Sequence, residues 1–189
     1  MVRNEAHIQP DKAEIGAVTI ERLDPAGYVA AIPALAELIA DAVDGGAGVN
    51  FMAGVTIDEA AGWWRERVPL VADGTISPLI ARDAEGRIVG STLLIRSRNP
   101  NSRHRAEIGK VIVHRRARRQ GIGRALMEAA EAEARADGRW LLILDTAAGS
   151  PADALYRAMG WQVLGTMPDH SRLPDGELWP TTYFWKDLR

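Results

Sequence analysis

Residues 107–127 read EIGKVIVHRRARRQGIGRALM, and the order of patterns inside this run decides the fold. Arg105 to Val113 is an apolar-rich stretch that predicts a strand. A basic turn follows, and Gly121 and Gly123 open a helix predicted over 119–137, with Ile122, Leu126, Ala129, Ala130 and Glu133 on one side and Gly138 as the stop. A glycine-rich turn feeding a helix N-terminus is an anion site, because free N–H groups point outward there and the helix dipole favours negative charge. Without side chains at Gly121 and Gly123 a pyrophosphate can approach the backbone, and Arg118, Arg119 and Arg124 surround it with positive charge. A basic turn that merely faces solvent has the same composition, so the run alone establishes an anion site and nothing narrower. No Gly-Lys-Ser/Thr follows, which removes the P-loop. The dinucleotide fingerprint needs glycine or alanine where Leu126 stands, and His114 to Gln120 intervene between strand and glycines. Asp145, placed where a ribose-binding acid would sit, is what that motif retains.

Outward from this run, strands are predicted over 18–23, 77–83, 87–98, 105–113, 140–145, 161–165 and 181–188. Helices are predicted over 28–43, where Pro33 falls near the first turn, over 56–71, 119–137 and 151–159. The second opens on a capping box, Thr56 with Glu59. Trp63 and Trp64 on that helix read as core and helix-face packing. The order β-α-α-β-β-β-α-β-α-β-β predicts an α/β (α+β) fold, a mixed sheet of about seven strands with about four helices on both faces. Residues 1–15 read as a flexible leader and 16–189 as a single domain.

Composition removes other classes. The 189 residues carry a net charge of −2, which argues against a dedicated nucleic-acid binder, and the acidic residues Glu128, Glu131 and Glu133 interrupt the basic cluster. With no cysteine there is no disulfide, thiolate metal site or acyl-cysteine intermediate. His7, His104, His114 and His170 have no metal-ligand spacing, so no metal is expected. No apolar run approaches the roughly 18 residues that span a bilayer. The polar N-terminus lacks a signal-peptide core. A cytoplasmic protein without membrane contact is the expectation.

The run 107–127 resembles the acetyl-CoA-binding motif of the GCN5-related N-acetyltransferase (GNAT) superfamily, an apolar strand, a basic loop and Arg/Gln-x-x-Gly-x-Gly/Ala opening a helix. Arg118, Gly121 and Gly123 match that motif position by position. ADALYRAMGW, residues 152–161, is similar to the superfamily's second motif, a helical tyrosine with a glycine-aromatic ending. GGAGVNFMA, RAEIGKVIV, LDTAAGSPADALY and PDGELWPT together resemble the tabtoxin-resistance type of acetyltransferase, from about Val18 to the C-terminus. The resemblance implies a mostly antiparallel GNAT sheet splayed at its middle, with acetyl-CoA as acetyl donor. It implies coenzyme contacts from Val111, Ile112, Val113, Arg118, Arg119, Gln120, Gly121, Ile122, Gly123 and Arg124. Gly149 stands where the family often has asparagine, so that contact is missing or passes to Ser150.

Acetyl transfer from a thioester to an amine needs a positioned donor, N–H groups for the oxyanion, a base and an acid. The resemblance implies that the strand before the cradle ends in free backbone groups, with the N–H of Val111 or Ile112 for the oxyanion. Glu107 and Asp145 would face one gap and share a water that takes the amine proton, and like charge with partial burial would raise one of their pKa values. Tyr156, whose unperturbed pKa is about 10, is the candidate acid for the departing sulfur. Loops near 44–53 and 169–179 are long enough to wall a pocket, with Asp44, Asn50, Phe51 and Asp175 as candidate acceptor contacts. A carboxylate on the acceptor would find Arg103, Arg105 or Arg172. The expected acceptor is the primary amine of a small molecule, of the kind an amino-acid-like antimetabolite presents. A protein or polyamine acceptor and a non-catalytic acyl-CoA sensor stand as alternatives. A homodimer fits the superfamily habit.

Overall fold

The computed structural model describes residues 13–15 and 18–189. Eight strands form one sheet: β1 (Ala13–Ile15), β2 (Val18–Arg22), β3 (Ile76–Arg82), β4 (Ile88–Arg96), β5 (Arg105–Val113), β6 (Leu141–Ala147), β7 (Gln162–Arg172) and β8 (Leu178–Asp187). Their order across the sheet is β1-β2-β3-β4-β5-β6-β8-β7. Every neighbouring pair is antiparallel except β5 and β6, which run parallel. Without the three-residue β1 this is the expected seven-stranded mixed sheet. The predicted leader lies outside the described residues apart from Ala13–Ile15, which pairs with β2.

The helices are α1 (Pro25–Asp44), α2 (Ile57–Arg65), α3 (Val68–Ala72), α4 (Ile122–Ala136) and α5 (Pro151–Ala158). Asp24 caps α1 by accepting from the Gly27 N–H at 2.6 Å, so the Asp24-Pro25 pair opens a helix as well as closing a strand. That early start puts Pro33 in the helix interior rather than its first turn. Pro33 is exposed, as is Val29, whose carbonyl loses its helical partner because proline has no N–H. α1 is long and apolar enough to cross a membrane by length and composition, contrary to the sequence expectation. Its apolar side is spent on α2 and the sheet, where Tyr28, Ile32, Leu35, Leu38 and Ile39 are buried. The single helix predicted over 56–71 is two. Pro69 has no N–H and its ring crowds the Arg65 carbonyl, so the chain restarts as α3.

Each face of the sheet carries its own core. On one face α1 and α2 cover Ile76, Ile80, Leu93 and Ile112. On the other, α4 and α5 cover Leu79, Leu94, Ile108, Leu142, Leu144 and Phe184. The last hairpin differs from expectation. β7 has eleven residues where a five-residue strand is predicted, and Pro168 lies within it. β7 is the sheet edge, so a proline there removes no ladder hydrogen bond from a second neighbour.

Candidate active site

β5 and β6 pair only at Arg105–Leu141, Ala106–Leu142 and Glu107–Ile143, and beyond Glu107 they diverge. The divergence has a local cause. On the β4 side Leu93 faces Gly109 and Ser91 faces Ile112, so Lys110 and Val111 together oppose Thr92. This is a β-bulge, and Lys110 occupies it with φ 52°, a left-handed conformation that a residue with a Cβ adopts at a cost. The bulge bends β5 away from β6 and opens the gap. His114 donates to the Val89 carbonyl at 2.9 Å. Alternation along an antiparallel strand then turns the Ile112 N–H toward β4, and the N–H groups of Val111 and Val113 toward the gap.

Side-chain parity sorts the chemistry between the faces. Ile95 pairs with Glu107, and Ile143 pairs with both Glu107 and Trp185. Asp145 pairs with Tyr183 two residues on. Glu107, Ile143, Asp145, Tyr183 and Trp185 therefore share the α1/α2 face, where α1 and α2 cover only the first half of the sheet. Both expected carboxylates look into this one cleft. Glu107 keeps contact with solvent, but protein crowds its carboxyl on the other sides. That burial, and next the charge of Asp145, holds its pKa above the ordinary range, against the pull of Lys110 and Arg105. Tyr183 donates to or accepts from His170 Nε2 at 2.7 Å at the cleft's edge.

Three cleft residues, Trp63, Arg67 and Lys110, are given no role at the site by the sequence. Trp64 is buried, but Trp63 beside it is half-exposed, so the pair divides between core and cleft. The Arg67 guanidinium lies 3.2 Å from the Trp63 ring centroid, and Lys110 Nζ lies 4.5 Å from it. Burial, and then the charge of Arg67, lowers Lys110 to about 8 despite Asp145 and Glu107. In the sequence the one hint is EIGKVIV, where the lysine breaks strand alternation.

The two glycines of the cradle do different work. Gly121 is the N-cap of α4 at φ 80°, and nothing lies within 4 Å of where its Cβ would be. Gly123 would put a Cβ 3.3 Å from Leu155 Cδ2, so its bareness serves packing between α4 and α5 rather than access from outside. Ile122 is buried and can offer only its N–H. Arg119, Gln120 and Arg124 are exposed around this helix start. Arg118 folds back, its Nε donating to the Val113 carbonyl at 3.1 Å. The loop is pinned from α1: Asp41 accepts from the Arg115 N–H at 2.8 Å and from Arg115 Nε at 2.9 Å. Burial would raise the Asp41 pKa, but the bonds from Arg115 outweigh it and hold the carboxyl low. Sequence reasoning missed Asp41, which lies 74 residues away.

Tyr156 belongs to the opposite face. α5 carries it into the core beside Trp161 and Phe184, with ring centroids at 6.2 and 5.8 Å. Burial first, then Asp145, raises its pKa, so the phenol stays protonated. Ser150 is already occupied as the cap of α5, accepting from the Asp153 N–H at 3.2 Å and lying 3.3 Å from Thr146 Oγ1. Gly149, in place of the family's asparagine, takes φ 72° in the turn before it.

The two predicted pocket loops do meet, Ala53 N–H donating to the Pro174 carbonyl at 3.0 Å. Their four candidate residues have different surroundings. Asp44 ends α1 near Arg115, Asn50 is exposed at φ 72°, Phe51 packs on the α1/α2 core, and Asp175 accepts from the Glu177 N–H in its own turn. Of the three arginines, Arg105 shares the face of Glu107. Arg172 is bonded to the Gly176 carbonyl, and Arg103 lines a cavity with Asp73, Arg98 and Arg139 at the other end of the sheet. Among the described residues no group of His, Cys, Asp or Glu is placed to hold a metal.

A mixed sheet splayed between β5 and β6 thus carries an open glycine-capped helix start on one side and two carboxylates on the other. The chain belongs to the acetyltransferase (GNAT) family, whose model matches residues 55–161. Solved structures agree on the fold. The Salmonella typhimurium protein yncA, whose structure holds its cofactor acetyl-CoA, is 24% identical over 92% of this chain and 95% of its own, with a TM-score of 0.72. Ribosomal-protein-alanine N-acetyltransferase from Brucella melitensis is 27% identical over 89% of this chain and 99% of its own, with a TM-score of 0.68. A protein described provisionally as a phosphinothricin N-acetyltransferase is 15% identical over 91% of this chain and 99% of its own, with a TM-score of 0.74.

Proposed function

We propose that the chain transfers an acetyl group directly from acetyl-CoA to the primary amine of a small, amino-acid-like molecule. The observation that carries this is the position of Glu107 and Asp145 on one face of the gap while the cradle helix and Tyr156 occupy the other. Acetyl-CoA fits the second side: the space over Gly121 is open, and unpaired N–H groups of the α4 start face it with Arg119 and Arg124 nearby. The amine enters from the carboxylate side. A water between Glu107 and Asp145 takes its proton, and the nitrogen attacks the thioester carbonyl. The Val111 N–H stabilises the oxyanion, the C–S bond breaks, and Tyr156 protonates the sulfur.

An acceptor with a carboxylate near its amine is supported by Arg105, whose charge acts on Glu107, and by Arg67, which lies over Trp63 next to Lys110. A thiol-release assay with acetyl-CoA across amino acids, amino-acid antimetabolites, polyamines and N-terminal peptides tests the proposal. Turnover confined to peptides or polyamines moves the acceptor to another class, and hydrolysis-level release with every amine despite tight coenzyme binding indicates a sensor. A homodimer belongs to the same reading, because β7 leaves Val163, Leu164 and Met167 exposed at the sheet edge.

A further inference from the structure

The chain has three lysines, Lys12, Lys110 and Lys186, and arginine supplies its remaining basic side chains. Lys186 is fully engaged. Its Nζ donates to the two Glu131 oxygens at 2.7 and 2.9 Å and to the Met159 carbonyl at 3.0 Å. Lys110 Nζ makes no hydrogen bond or ion pair among the described residues, and the 4.5 Å approach to the Trp63 ring is what holds it. That ring also has the Arg67 guanidinium at 3.2 Å, so one indole lies within reach of two cations. The left-handed bulge directs this side chain to the α2 side of the gap. The next residue, Val111, supplies the N–H that faces the gap. The amine is therefore tethered on the strand that holds the acyl oxygen, on the side from which an acceptor approaches.

Resting on the acetyltransferase reading, we propose that Lys110 is itself an acetylation site: with acetyl-CoA bound and the acceptor cleft empty, its Nζ takes the acetyl group in cis. The lone pair of the neutral amine forms a C–N bond to the thioester carbonyl, and the C–S bond breaks. Sulfur leaves with the electron pair and takes a proton from Tyr156, which solvent restores. The proton shed by nitrogen passes to the water between Glu107 and Asp145. Coenzyme A and Nε-acetyl-lysine are the products, with no oxidant or reductant involved. The depressed pKa of Lys110, about 8, keeps an appreciable neutral fraction available near neutral pH. The acetylated side chain carries no charge and narrows the cleft, so modification slows turnover of outside amines.

The test uses the purified full chain with acetyl-CoA and no amine, followed by intact mass and peptide mapping. Labelling should approach one acetyl group per chain, located at Lys110, and should fall as excess coenzyme A or a working amine acceptor is added. Lys110→Arg, which keeps a cation over Trp63, should abolish it. The urea-unfolded chain gives the purely chemical rate at each lysine. Labelling of Lys110 no faster than that rate, or spread evenly over Lys12, Lys110 and Lys186, overturns the proposal. Thiol release with small amines while Lys110 stays unlabelled overturns it and leaves the acetyltransferase reading standing. Absence of both release and label, with coenzyme binding seen by calorimetry, removes both.

Discussion

Gly121→Ala and Gly123→Ala form a matched pair that separates a coenzyme cradle from a solvated turn. At Gly121 an added methyl meets no protein atom within 4 Å, so the folded protein feels only the backbone conformation at φ 80°. A left-handed residue with a Cβ costs about 1–2 kcal/mol, and the reduced freedom of the unfolded chain adds its own change of about 0.4–1 kcal/mol in the opposite direction. The net expectation for Gly121→Ala is a loss of about 1 kcal/mol in urea unfolding. If pyrophosphate occupies the open space, the methyl also stands in its path. Coenzyme affinity in calorimetry should then fall roughly tenfold or more, which is about 1.4 kcal/mol beyond the stability change. At Gly123 the methyl points inward to Leu155 Cδ2 at 3.3 Å, the movable end of a side chain. Alanine favours a helix over glycine by about 0.5–1 kcal/mol, which offsets that crowding, so stability should stay within about 0.5 kcal/mol of the parent. Affinity at Gly123→Ala should change less than about twofold, because nothing new faces the ligand. Unchanged coenzyme affinity for Gly121→Ala, or a large loss confined to Gly123→Ala, would refute the assignment of these two positions.

Tyr156→Phe should lower kcat by roughly a hundredfold or more, the range of a general acid, with acetyl-CoA affinity and urea midpoint nearly unchanged, because the ring keeps its place beside Trp161 and Phe184. Loss of affinity with kcat intact would show a binding role instead. In the proposed role Glu107 acts as a carboxylate, so its raised pKa should put the acid limb of the kcat/KM profile above the ordinary glutamate value, and Asp145→Asn should move that limb down. For stability the sign is opposite. A carboxyl whose pKa rises on folding contributes below its unfolded pKa and loses that contribution as pH rises through the folded one, so Glu107→Gln should not destabilise at neutral pH. Asp41→Asn should cost about 1.5–3 kcal/mol in urea unfolding by removing the charged acceptor of Arg115, and should weaken coenzyme binding through the loosened loop. Because the Asp41 pKa is depressed on folding, its contribution is present above the unfolded pKa and disappears as pH falls through the folded one.

Most strands and helices are legible in the sequence because each is driven by local pattern. β5 spans residues 105–113 as its apolar-rich stretch predicts, and Thr56 and Glu59 close their capping box. Errors arise where a long-range partner or a single residue intervenes. Pro69 divides one predicted helix, and the long β7 depends on pairing with β8 rather than on its own propensity. At the candidate site the motifs and the resemblance name Gly121, Glu107, Asp145 and Tyr156, and the structure places Glu107 and Asp145 on one face. Lys110, Arg67 and Asp41 escape it because their relevance is created by folding. Arg67 reaches the cleft only because α2 stops where it does, and Asp41 meets the cradle from 74 residues away. Ser150 shows the converse error: a residue in the right place whose hydroxyl is already taken by the helix it starts.

The bulge at Lys110 joins these features into one device. An unbroken β5 would keep pairing with β6 past Glu107, and the N–H groups of Val111 and Val113 would be consumed by the ladder. One extra residue stops the pairing, frees those groups and flips strand parity, so Ile112 enters the α1/α2 core while Glu107 holds the same face five residues earlier. The gap then runs through the sheet rather than along its surface. On the proposed mechanism, donor and acceptor would approach from opposite faces and the amine would attack through the opening. That arrangement is the one direct transfer in a ternary complex would need, with Glu107 and Asp145 on one side of the sheet and Tyr156 on the other. Relieving the left-handed strain with Lys110→Gly should therefore leave the gap open, whereas deleting Lys110 should restore pairing and abolish turnover in the thiol-release assay. Full activity in the deletion variant would show that the splay does not depend on the bulge.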